Sequence, residues 1–84
     1  MLLLWDKVQA EGGNAIRHYV VYAFKGKQVG DMNDPANILA FTTQNLFDLR
    51  RHDPKMKGYY TFVVTSVNRF KHESPTTYAV TRKL

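Results

Sequence analysis

A chain of 84 residues, 44% hydrophobic and 13% aromatic, carries enough apolar side chain for one packed core and too little length for two, so a disordered tail and a two-domain protein are both excluded. The absence of cysteine removes disulfides, thiolate metal sites and cysteine nucleophiles, and leaves the redox compartment open. Twelve Lys and Arg against seven Asp and Glu give a formal charge of +5, yet the bases are spread along the chain, which points to a solvated surface. Leu2 to Val8 alternates as a strand and runs into Glu11-Gly12-Gly13-Asn14, residues that accept the positive φ of a tight connection. The opening run Met1 to Trp5 is too short to span a bilayer and lacks the charged leader of a signal peptide, so this segment is expected to have no membrane span.

Ile16 to Phe24 is β-branched and aromatic, which suits a pleated, half-buried strand, and it stops at Lys25-Gly26-Lys27. Gln28 to Asn37, rich in Gly, Asp, Asn and Pro, predicts a long loop. Ile38 to Thr42 resumes strand character, and Leu46 to Leu49 reads as a short strand before the polar loop Arg50 to Gly58. Tyr59 to Asn68 is the strongest strand signal, with Tyr60, Phe62, Val64 and Ser66 on one face and Tyr59, Thr61, Val63, Thr65 and Val67 on the other. A hairpin at Arg69 to Ser74 leads into a last strand, Thr76 to Arg82, with Pro75 just ahead of it where a missing amide donor does no harm. Nowhere do apolar residues recur at three and four, so the pattern predicts an all-β protein of six strands, a sandwich or a barrel.

Particular residues narrow that choice: Leu3-x-Trp5, Ile16-x-x-Tyr19-x-Val21, Tyr60-x-Phe62-x-Val64-x-Ser66-x-Asn68, and Glu73-Ser74. In these the chain resembles the fibronectin type III domain over nearly its whole length. The resemblance implies one immunoglobulin-like sandwich of two antiparallel sheets across residues 1–84, with the B, C, F and G strands at those four groups. Trp5 is then a core plate between the sheets, and Tyr60 sits at a tyrosine corner with its hydroxyl on the connection before it. The family's A strand has no counterpart ahead of Leu2, so the B edge is expected to be open and the chain to be part of a longer polypeptide. Ile38-Leu39-Ala40-Phe41-Thr42-Thr43, Val63-Val64-Thr65 and the Asn68-Arg69 to Glu73-Ser74 hairpin are similar to C-terminal modules of exported Bacteroidetes proteins related to glycoside hydrolases. That similarity implies a non-catalytic accessory module that spaces, docks or stabilises a neighbouring carbohydrate-active domain, in a periplasmic, cell-surface or secreted setting.

The residues themselves offer little chemistry. Asp6, Glu11, Asp31, Asp34, Asp48, Asp53 and Glu73 fall in loops and at strand ends, without the facing pair of carboxylates that glycoside hydrolysis needs. His18, His52 and His72 lack metal-site spacing, no serine sits in a nucleophile elbow and no glycine-rich loop has phosphate-cradle spacing. The module alone is therefore expected to be no enzyme and to need no metal or cofactor. The basic loop of Arg50, Arg51, His52, Lys55 and Lys57 has no aromatic platform beside it, so nucleic acid is not an expected partner. The last hairpin reads Arg69-Phe70-Lys71-His72-Glu73-Ser74, without the Arg-Gly-Asp of adhesive members of the family, and Phe70 is either a folded-in hydrophobe or a contact residue.

One surface stands out. If Tyr19 and Val21 point inward, Val20, Tyr22 and Phe24 point outward and lie beside Tyr59, Val63 and Val67 on the neighbouring strand. These residues, with Phe70, form the expected docking surface for a neighbouring domain, or alternatively an exposed aromatic platform for polysaccharide or protein. A third possibility is that the chain's own long loops cover the face.

Overall fold

The computed structural model describes residues 2–6, 16–49, 56–68, 71–74, 76 and 78–84. The described residues form six strands: β1 (Leu2–Leu4), β2 (Ile16–Lys25), β3 (Ile38–Thr42), β4 (Leu46–Asp48), β5 (Tyr59–Asn68) and β6 (Tyr78–Lys83). The strands expected at 38–42 and 59–68 begin and end where the spacing predicts. The one departure in the long loop is a 3₁₀ turn at Pro35–Asn37. Its cause is local: the Asp34 carboxylate accepts from the Ala36 amide at 2.9 Å, and Pro35 takes the first helical position, where no amide donor is needed.

Two antiparallel sheets make a β-sandwich. One has two strands, β1-β4, and the other has four in the order β3-β2-β5-β6. The chain therefore crosses between sheets from β1 to β2, from β3 to β4 and from β4 to β5, while β2–β3 and β5–β6 are neighbours in both sequence and space. Leu3 opposite Phe47 fixes the register of the small sheet. Its far end is clamped where Trp5 donates its amide to Asn45 O at 3.2 Å and accepts from Asn45 Nδ2 at 2.9 Å.

Period-two alternation decides which side chains meet between the sheets. Leu3, Trp5, Tyr19, Val21, Leu49, Phe62 and Val64 are buried together there, with Tyr60, Tyr78, Val80 and Leu84 packed around them. Each Val, Leu or Phe so removed from water contributes about 1.5–3 kcal/mol. The Trp5 ring meets Tyr19 edge-on at 5.5 Å and tilts against Tyr78 at 6.3 Å, which supports its expected role as the core plate. Tyr60 lies against this core as expected, whereas the connection its hydroxyl is expected to meet falls largely at 50–55, outside the described residues.

Candidate functional site

The outward faces of β2 and β5 bring together four of the residues expected to form a docking surface. Val20, Tyr22, Phe24 and Val63 join Val67 in a second apolar cluster, on the side of the four-stranded sheet away from the sandwich core. Their expected exposure is corrected: Val20 is 4% exposed, Tyr22 3%, Phe24 4% and Val63 0%. The chain covers this face itself, so it offers neither a platform nor a docking surface at those positions.

Among the described residues the cover has two parts. Over the Phe24 end lies the loop from Gly26 to Asn37. Gly26 turns it with φ 103°, a conformation that suits glycine. Gly30 then presses its backbone onto the Phe24 ring, so closely that a Cβ there would sit 2.7 Å from Phe24 Cδ1. Met32 and Ile38 pack onto the cluster from above. The loop holds its own shape, with the Asn33 amide donating to Asp31 Oδ1 and Asn37 Nδ2 donating to Asp31 O, both at 2.9 Å. Asp31 and Asp34 thus serve turns.

Over the Tyr22 end lies Glu73, from the β5–β6 connection. Its Oε2 accepts from the Tyr22 hydroxyl and, at 2.5 Å, from Thr65 Oγ1. The Tyr22 hydroxyl is pushed up from 10.0 to about 12, first by burial and then by its hydrogen bond to, and the negative charge of, Glu73. The connection is set by backbone bonds: Lys71 N donates to Asn68 O at 3.0 Å, Asn68 N to His72 O at 3.1 Å and Ser74 N to Ser66 O at 2.7 Å, with Lys71 in the left-handed region at φ 64°.

Of the remaining expected site residues, Tyr59 is 43% exposed at the start of β5, apart from the covered cluster, and Phe70 lies outside the described residues. Lys27 Nζ stands 4.3 Å from the Tyr59 ring centroid and Lys83 Nζ 5.8 Å from it. His18 meets the Phe41 ring edge-on at 5.7 Å, and Phe41 is 64% exposed on the edge strand β3.

A different apolar surface is open. Leu2, Leu4 and Leu46 are 49%, 56% and 38% exposed. The β1–β4 register puts Leu2 opposite Asp48 and Leu4 opposite Leu46, so with Leu3 and Phe47 turned to the core these leucines share the outer face of the small sheet. Three leucines in a row carry that information, because a strand that turns Leu3 inward turns Leu2 and Leu4 outward. Among the described residues there is no group of three or more His, Asp or Glu able to hold a metal ion, and no helix long and apolar enough to cross a membrane. Comparison with protein-family models, with curated proteins and with solved structures finds no match for this chain.

Proposed function

We propose that the chain is a fibronectin type III-like accessory module, without catalytic function of its own, that docks on and stabilises a neighbouring carbohydrate-active domain of an exported bacterial protein. The observation that carries the docking role is the leucine face of β1 and β4: three large apolar side chains stand in solvent on one face of a two-stranded sheet, although the molecule covers its other outward apolar cluster with its own loops. The fold assignment is supported by strand order. β1-β4 and β2-β5-β6 pair as the B–E and C–F–G strands of an immunoglobulin-like sandwich, with β3 added beside β2. Trp5, Tyr19 and Phe62 fall in its core, where the sequence resemblance puts them. The occupant of the leucine face is the adjoining domain of the same polypeptide, the role that the resembling C-terminal modules imply. The alternative of polysaccharide binding through exposed Tyr22 and Phe24 loses its basis, because both rings are buried.

Leu4→Lys with Leu46→Lys tests this. In the polypeptide that carries the module, the pair is expected to split one coupled calorimetric transition into two and to raise proteolytic release of the module. In the isolated 84-residue chain the same exposed substitutions are expected to move stability by about 0.5 kcal/mol or less. An unchanged, coupled transition in the variant polypeptide overturns the reading.

A further inference from the structure

We propose that the end of the four-stranded sheet centred on Tyr59 is a binding site for a linear acidic polysaccharide, recognised through its carboxylate or sulfate groups. Bases that are scattered in sequence meet there through strand register. Lys83 pairs with Tyr59, while Lys25 and Arg82 flank Tyr60 from the two neighbouring strands. The Gly26 amide donates to Tyr59 O at 2.8 Å, which carries Lys27 across the start of β5. Gly58 and Leu84 exchange two hydrogen bonds, at 3.3 and 2.7 Å, which brings Lys57 to the same end. Lys27 and Lys83 stand on the Tyr59 face of the sheet, while alternation turns Lys25 and Arg82, opposite Tyr60, to the other face at the same sheet end. The segments that bring them, 25–28, 56–60 and 81–84, contain no Asp or Glu.

The second observation is the arrangement on the tyrosine. Lys27 and Lys83 both place their ammonium groups near the one half-exposed Tyr59 ring, at 4.3 and 5.8 Å from its centroid. An exposed cation–π contact is worth only about 0.5–1 kcal/mol, and two like charges held at one ring repel. Lys27 comes to the ring from the β2 side of β5 and Lys83 from the β6 side, so anionic groups seated against each relieve that repulsion. Lysine presents a point charge with rotatable donors, which suits successive single carboxylates or sulfates along a polymer.

The same details select the class of polymer. Single-stranded nucleic acid needs open aromatic faces for base stacking, and Lys27 stands over the Tyr59 ring. A protein partner needs an apolar centre to its interface, and Tyr59 is the only large exposed hydrophobic among the described residues of these three segments. A polyanion held here leaves the leucine face free, so the site stands whether or not the docking role does.

The test is calorimetric titration of the 84-residue chain with polygalacturonate and with dextran sulfate, beside neutral dextran and single-stranded DNA. Saturable binding of one or both acidic polysaccharides is expected, with none of dextran and steep weakening by salt. Lys27→Ala with Lys83→Ala should cost about tenfold or more in Kd, a difference of about 1.4 kcal/mol. Arg17→Ala with Lys71→Ala removes the same charge at the opposite end of β2 and β5, and should change Kd by less than about twofold. Unfolding midpoints of both pairs verify that each is folded. Equal losses from the two pairs, DNA binding as tight as that of the polysaccharides, or no response to either acidic polymer overturns the proposal.

Discussion

Tyr22 is where burial and charge act on one atom. Its ring lies in the covered cluster beside Phe24, and its hydroxyl donates to Glu73, so the neutral form is favoured and the proton is held to about pH 12. The folded pKa is raised, so the stabilisation is complete below the unfolded value of 10.0 and is lost as pH rises toward 12. A shift of this size corresponds to a loss on the order of 2 kcal/mol across that window. Tyr22→Phe is therefore expected to cost about 1 kcal/mol at neutral pH through the missing hydrogen bond, and then to lose less than the wild type between pH 10 and 12. Denaturant melts at each pH measure this, and parallel curves for the two proteins would refute it. Alternation in Ile16 to Phe24 is enough to turn this side chain outward, but nothing local in the sequence pairs it with an acid in a connection 51 residues away. The face of a residue is legible from its neighbours; its partner depends on how a distant loop returns.

The same division separates the elements. β2, β3 and β5 are legible because short runs rich in β-branched and aromatic residues, bounded by turn-forming residues, fit a pleated strand. Gln28 to Asn37 reads as a long polar loop, whereas in the fold the stretch from Gly26 to Asn37 is a lid, held by contacts that polarity does not record. Its hold on the sheet comes from the bare backbone of Gly30 against Phe24 and from Met32 packed on the cluster, while Val29 stays exposed. Two glycine substitutions separate these effects. Gly30→Ala drives a methyl to 2.7 Å from a buried ring, so the lid or the ring must shift, at an expected cost of about 1–3 kcal/mol and with rising exposure of Phe24. Gly26→Ala meets no neighbour within 4 Å and carries only the strain of its positive φ, about 1–2 kcal/mol, without opening the cluster. Unfolding midpoints together with binding of a hydrophobic dye distinguish them: dye uptake by the Gly26 variant and none by the Gly30 variant would contradict this account of the lid.

At the scale of the whole molecule, the lid explains an asymmetry between the sheets. β5 is buried from Thr61 to Val67 on both faces, by the sandwich core on one and by the lid and the Glu73 connection on the other, and it is hydrogen-bonded to strands on both sides. β1 has a single partner strand among the described residues, one buried side chain and an open outer face. A two-stranded sheet is marginal unless something packs on it, so its opening should cost less than global unfolding. Native-state hydrogen exchange of the isolated chain should find the amides of β2 and β5 exchanging only through global unfolding, and those of β1 and β4 at least about tenfold faster through local opening. The two proposed partners would alter that pattern at opposite places. A domain docked on Leu2, Leu4 and Leu46 slows β1 and β4, while an acidic polymer held at Lys27, Tyr59 and Lys83 slows the start of β5 and the end of β6. Protection at Leu3 equal to that at Val64 in the isolated chain would mean that the small sheet needs no partner, and the stabilising value assigned to docking would fall with it.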